Sequence, residues 1–168
     1  MFEVGDRVVH PHYGAGEVIE IAELGCFGAC RLYYAIDLLN DAGRLVVAVE
    51  NAEREGIRRP IRAVQLGQVW RVLCAAPKAL PTDHNERYEL LKDKLRGGNI
   101  LQVAEVLRDM SWKDRHVRSL TLEGKRLYDK GMMLLAGEVA LVQNGDFGAA
   151  EAQIAAFLAS PVLVDGSR

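Results

Sequence analysis

Near Pro60 the hydrophobic pattern of the chain changes period, and this change constrains the fold more than any single motif. Before it, DRVVH (6–10), AGEVIEIAEL (15–24), CRLYYAIDLL (30–39) and RLVVAVE (44–50) are short β-branched and aromatic runs, the signature of strands. They are separated by HPHYG, LGCFGA and NDAG, whose Gly, Asn, Asp and Pro supply the dihedral angles of tight turns. Short strands at near-even spacing, joined by turns of a few residues, predict a small antiparallel barrel rather than a βαβ unit. In AGEVIEIAEL the charged positions Glu17, Glu20 and Glu23 alternate imperfectly with Val18, as on a strand with one face in solvent, so the barrel is expected to be half-open.

After Pro60, Val64, Val69, Val72 and Leu73 recur at helical spacing, and the helix is expected to stop before Pro77. KALPT then connects to a second helix in DHNERYELLKDKLRGG. There Asp83 and Glu86 have capping-box spacing, and Gly97 and Gly98 mark the end. A third helix is predicted over about 99–115. A fourth starts at Ser119 or Thr121, either of which is a good N-cap, and runs past Leu141. A short Ala-rich helix over about 147–158 is the last. The expected fold class is therefore α+β, with a β domain over 1–62, a helical domain over 63–160 and a tail over 161–168.

A content of 49% hydrophobic residues is enough to close a core and excludes a disordered or collagen-like chain. No apolar run approaches the roughly 18–20 residues of a membrane-spanning helix. The opening MFEVGDRVV has acids at Glu3 and Asp6 and no basic stretch leading into an apolar one, so no secretory signal is expected and the chain is placed in the cytoplasm. Its three cysteines are then expected to be thiols. The net charge of −2 excludes a generally basic nucleic-acid binder, but it averages two unlike halves. Residues 1–62 hold seven Arg and no Lys against ten acids, net −3, whereas residues 84–130 hold eleven Lys and Arg against eight acids, net +3.

No phosphate-binding glycine loop, dinucleotide fingerprint, H-E-x-x-H or G-x-S-x-G motif occurs, so no enzymatic chemistry is expected. His10-x-His12 and Cys26-x3-Cys30 contain zinc-type ligands. A three-residue spacing between the cysteines is uncommon for a zinc knuckle, and turn residues and small hydrophobes account for them more simply; neither metal nor cofactor is assigned. An all-Arg basic set suits planar, partner-facing contacts, though ordinary solvated strand residues explain it as well. RLVVAVE is a candidate edge strand to which a partner could add its own. In the helical half, Arg108, Lys113, Arg115, His116, Arg118, Lys125, Arg126 and Lys130 gather where the third and fourth helices meet, as phosphate contacts require. Interleaved Asp109, Asp114, Glu123 and Asp129 leave open a salt-bridged surface instead. Trp112 and Tyr128 are read as filling interhelical gaps, and His84 as projecting from the tip of the second helix.

Five collinear blocks now point in one direction: FEVGDRVVHPHYGAGEV, VENAEREGIR (49–58), PTDHNERYELLKDKLRGGN (81–99), VAEVLRD (103–109) and LEGKRLYDKG (122–131). Together they resemble the CarD/CdnL family of bacterial transcription regulators over residues 1–158. The resemblance implies a Tudor-like N-terminal domain, shared with the transcription-repair coupling factor, that binds the RNA polymerase β subunit. It also implies a helical domain that touches promoter DNA just upstream of the melted region and stabilises the open complex. The protein would act as a monomer, held at the nucleoid through polymerase, with weak DNA binding of its own. Arg44, Val46 and Glu53 would face polymerase, and His84, Asn85, Arg87, Lys125 and Arg126 would face DNA.

The chain departs from the family pattern at two places. Members carry P-T-x-W-x-R-R-Y, whose Trp wedges into the minor groove at the bubble edge; here PTDHNERY puts His84 for the Trp and Glu86 for the first Arg, while Arg87 and Tyr88 remain. Some members carry Arg where this chain has Val46. Lys125 and Arg126 match the family's basic pair. The first departure leaves open a second reading, an interaction module that holds polymerase without productive DNA contact. A zinc protein or an unrecognised hydrolase is the third.

Overall fold

The computed structural model describes residues 1–26, 29–40 and 43–159; the side chains of Leu24, Cys26 and Ala29, and the whole 161–168 tail, lie outside the described residues. Four strands, β1 (Arg7–His10), β2 (Gly14–Cys26), β3 (Ala29–Leu38) and β4 (Arg44–Ala48), form one antiparallel sheet in the order β1-β2-β3-β4. Five helices follow: α1 (Leu66–Cys74), α2 (His84–Arg96), α3 (Ile100–His116), α4 (Leu122–Gln143) and α5 (Phe147–Ala159). The fold is α+β, as the sequence pattern predicts.

The imperfect alternation in β2 has a structural cause. Val18 pairs with Ile36 but Glu20 pairs with Ala35, so Ile19 is an extra residue in a β-bulge. The slip leaves Glu17 and Glu20, three apart in sequence, both exposed and opposite Asp37 and Ala35, while Val18 and Ile21 lie opposite Ile36 and Tyr34 in the core. One edge of the sheet is covered: Val9 bridges Arg58, each backbone N–H donating to the other's carbonyl at 2.8 and 3.1 Å. At the other edge, β4 has no strand beyond it among the described residues. β4 stops at Ala48 rather than at position 50, because Val49–Asn51 forms a 3-10 turn that brings Ala52 and Ile57 back under the sheet.

Three helix starts follow from local side-chain chemistry. The side chains of Asp83, Asn99 and Thr121 accept hydrogen bonds from the backbone N–H groups of Glu86, Leu101 and Gly124, satisfying donors that the first turn leaves free. Gly98, at φ +64°, makes the left-handed turn between α2 and α3. The helical core centres on Leu107, Leu135 and Ile154, and the Trp70 and Phe157 rings, stacked at 4.6 Å, fasten α5 to α1. No helix among the described residues is long and apolar enough to cross a membrane.

The sheet and the helices share an interface, formed mainly by β1, β2 and α4. Gly137 of α4 meets Ala15 of β2 so closely that an added Cβ would sit 3.0 Å from the Ala15 Cβ. Arg7 donates to the Leu141 carbonyl at 2.8 Å and to Asn144, the left-handed residue that ends α4. Beside this seam, Arg58 makes a two-pronged pair with the Glu138 carboxylate, at 2.6 and 2.8 Å. Glu138 is 1% exposed and also accepts from the Ile61 N–H at 2.8 Å, while Arg58 donates to the Gly98 carbonyl at 2.9 Å. One ion pair thus ties the linker, α4 and the α2–α3 turn together.

His10, also at this seam, is buried, and its Nδ1 accepts from the backbone N–H groups of His12 and Tyr13 at 3.0 and 3.3 Å. Burial, followed by the neighbouring His12, lowers its pKa from the usual 6.5, against the opposing pull of Glu55 at 3.7 Å. The unfolded chain therefore takes up this proton more readily than the folded one, so the contribution of His10 is complete above about pH 6.5 and is lost as pH falls through that value towards the lowered one. Thermal unfolding of His10→Gln between pH 7 and pH 5 is expected to show a shallower loss of Tm than the unmodified chain shows. Parallel Tm curves would contradict this assignment.

Candidate nucleic-acid interface

At the N-terminus of α2, Asp83 caps the helix and His84 is its first residue, so Tyr88 lies one turn further along the same face. The exposed His84 does not simply project from the tip: its ring leans on Tyr88, with centroids 4.5 Å apart and planes at 49°. Arg87 turns back along the connector, donating to the carbonyls of Pro81 and Thr82 at 3.0 and 3.1 Å while its guanidinium lies 5.5 Å from the Tyr88 ring centre. The Tyr88 hydroxyl meets the Thr121 hydroxyl at 2.6 Å, which locks the α2 tip to the N-cap of α4.

These contacts frame a cleft of about 580 Å³ between the connector, the α2 tip and the α3–α4 turn. His84, Arg87, Lys113 and Arg118 line it, beside Leu80 and Leu120. Burial, and then the charges of Arg87 and Arg118, lower the pKa of the Lys113 ammonium from its usual 10.5. Lys125 and Arg126 stand exposed on the early turns of α4, beyond the Thr121 cap and outside the lining of the cleft, and Asn85 is exposed at the α2 tip.

The basic cluster expected at the meeting of α3 and α4 is smaller than the sequence implies. Arg108 is buried against Asp109 at 2.8 Å, Arg115 donates to the Leu158 carbonyl, and Lys130 donates to the His12 carbonyl. These three cations hold the fold together. The pattern of α3 could have flagged Arg108, which lies four residues from Ala104 on the buried face. Trp112 and Tyr128 are both partly buried, as expected; Trp112 also stacks on His116 at 5.0 Å, and burial raises the Tyr128 pKa.

In the sheet, Arg44 and Val46 pair with Asp37 and Ala35 and share the outward face of the open edge, and Val46 is 53% exposed. Glu53 is exposed in the turn that follows the 3-10 segment. Of the zinc-type residues, His10 uses Nδ1 on backbone groups, Cys30 is an exposed thiol and the Cys26 side chain lies outside the described residues. Among the described residues no three His, Cys, Asp or Glu side chains converge as a metal site.

Two family models divide the chain at this sheet-to-helix junction. The CarD-like/TRCF RID domain matches residues 2–61, and the CarD C-terminal domain matches residues 68–155. The chain belongs to the CarD family. A curated relative, the "Putative transcription factor YdeB" of Bacillus subtilis (strain 168), is 24% identical over 157 residues, which cover 94% of this chain and 99% of the relative. The matched CarD-family domains are of transcription-factor type rather than enzymatic, which gives the chain the role of a transcription regulator.

Proposed function

We propose that this CarD-family protein binds the RNA polymerase β subunit through the open edge of its sheet and stabilises promoter open complexes by contacts of its helical half with DNA at the upstream edge of the bubble. The observation that carries the reading is the joint at Arg58 and Glu138. A strand edge with no strand beyond it among the described residues and a cation-lined helix tip sit on halves fastened by the ion pair of the buried Glu138 with Arg58, so holding polymerase with one aims the other. Arg44 and Val46 present a cation and an apolar side chain on the outer face of β4, with Glu53 beyond them, a mixture suited to a protein partner. On the DNA side His84, Asn85 and Arg87 occupy the tip, and Lys125 and Arg126 supply exposed charge for phosphates.

Val46→Asp in the full chain is expected to weaken polymerase retention about tenfold or more, since an ionised carboxylate at a contact that loses its water is left unpaired. Retention equal to that of the unmodified protein would overturn the edge-strand assignment. In a lifetime assay with the cognate polymerase, Lys125→Ala and Arg126→Ala are each expected to lower the slope of log effect against log salt by about 0.9. A double variant with full and equally salt-sensitive activity would remove α4 from the DNA contact. The second reading, a module that holds polymerase without productive DNA contact, draws on Glu86 at the tip and on the inward turn of Arg87.

A further inference from the structure

The cleft beside the α2 tip carries more charge than the fold uses. Several other cations of the helical half, Lys78 on the cleft wall among them, are paired with acids, whereas Lys125 and Arg126 stand exposed outside the cleft. Lys78 and Lys94 both reach Glu105, at 2.7 and 2.9 Å, and hold its carboxyl down to about 2; Lys92 meets Glu123 at 3.0 Å, and Arg96 meets Asp93 at 3.3 Å. In the cleft Arg87, Lys113 and Arg118 converge, and among the described residues the one acid in its lining, Asp109, is already engaged by Arg108 at 2.8 Å and by the Lys78 N–H at 2.9 Å. The Arg87 Nε is buried without a hydrogen-bond partner among the described residues. Three like charges around one cavity repel one another unless an anion enters; burial first, and then the charges of Arg87 and Arg118, lower the pKa of the Lys113 ammonium.

The other walls are of a different kind. Leu80, Val117 and Leu120 are apolar, and Val117 is 63% exposed at the rim. The Tyr88 and Trp112 rings add flat surfaces. A cavity of this size suits a small organic ligand, and an apolar wall with a few charged groups gives such a ligand its orientation. The required ligand has a flat, weakly polar part and an adjoining negative charge. A DNA duplex offers phosphates and the base edges of its grooves but keeps the flat base faces stacked inside, whereas an unpaired nucleotide offers both a base face and a phosphate.

We propose that this cleft is a site for a single unpaired nucleotide, the base resting against Leu80, Val117 and Leu120 and the phosphate held by Lys113 and Arg118. The nucleotide could come from a free nucleoside monophosphate or from a single DNA strand; the second source rests on the promoter reading above and the first does not.

The test uses the full chain with three probes, thymidine monophosphate, a short oligothymidylate and a duplex of the same length, followed by Trp fluorescence and by titration calorimetry. The expected result is binding of the oligothymidylate or of the monophosphate, weakened about tenfold or more by Lys113→Gln with Arg118→Gln, because the two substitutions remove both charge-assisted hydrogen bonds to the phosphate. Lys125→Gln with Arg126→Gln, outside the cleft, should reduce this binding less. Binding of the oligothymidylate alone assigns the site to a DNA strand, and binding of both assigns it to the nucleotide unit itself. No binding of either at millimolar concentration, or duplex binding equal to single-strand binding and indifferent to the cleft substitutions, overturns the proposal. Loss of polymerase retention in Val46→Asp with nucleotide binding intact bears on the promoter reading and leaves the cleft assignment standing.

Discussion

Glu138→Ala is expected to destabilise the protein by about 2–4 kcal/mol, somewhat less than breaking a wholly buried ion pair costs, because the Arg58 side chain left behind is 35% exposed. Glu138 is 1% exposed and its two oxygens accept three hydrogen bonds, two from Arg58 and one from the Ile61 N–H. Removing the carboxylate leaves the guanidinium facing a cavity, with the Gly98 and Arg59 carbonyls as its remaining partners, and leaves the Ile61 N–H unpaired. Arg58→Met should cost a comparable amount, because the charge left behind is the more deeply buried of the two. The double change Arg58→Met with Glu138→Leu is expected to recover most of the loss, since replacing both charges by apolar groups of similar volume is often neutral. Urea unfolding of the two single variants and the double variant measures the coupling directly. Single losses below about 1 kcal/mol, or losses that simply add, would show that the pair is not what fastens the sheet to the helices.

That joint is the part of the architecture least visible in the sequence. The helix starts could be read because each rests on a bond a few residues long, from Asp83, Asn99 or Thr121 to the next turn. The strand runs could be read because their alternation is local, and even the irregularity in β2 registered as a broken pattern before the bulge at Ile19 explained it. Arg58 and Glu138 are 80 residues apart, and neither position carries a local signal that it will meet the other. The run at 44–50 shows the converse: Val49 has strand propensity, but closing Ile57 under the sheet requires a turn there.

The candidate site was legible in composition and misread in direction. Counting charge over 84–130 singles out the stretch whose cations line the cleft, but a count does not say which way a side chain points. Arg108, Arg115 and Lys130 face the interior or neighbouring carbonyls, and Arg87 follows the connector, so the free charge is concentrated at Lys113, Arg118, Lys125 and Arg126. The spatial marker of the site is the excess of cations over free acids in one cleft, and that marker exists only after the connector, α2, α3 and the α3–α4 turn have been brought together.

On the promoter reading, His84→Trp combined with Glu86→Arg is expected to lengthen the open-complex lifetime by about tenfold or more, because the two changes act on different parts of the contact. A side chain inserted at an unstacked base step has to offset an unstacking cost of a few kcal/mol with apolar, flat contact. The imidazole of His84 is smaller than an indole and more strongly hydrated at its edge, and it already rests against Tyr88 at 4.5 Å, so it offers DNA a limited face. Glu86, two residues on, is exposed in the first turn of α2, where its carboxylate favours the helix N-terminus and opposes phosphate. Glu86→Arg therefore gives up on the order of 0.3–1 kcal/mol of helix stability while exchanging a repulsion for an attraction, and it should add about 0.9 to the salt slope. The comparison runs the unmodified protein, His84→Ala, Glu86→Arg and the double variant at two salt concentrations, with polymerase retention measured in parallel. His84→Ala should shorten the lifetime slightly, and Glu86→Arg alone should act chiefly through salt dependence. If His84→Ala equals the unmodified protein and the double variant gains nothing while polymerase is still retained, the α2 tip does not face the bubble. The sheet edge then carries the function alone, as an interaction module.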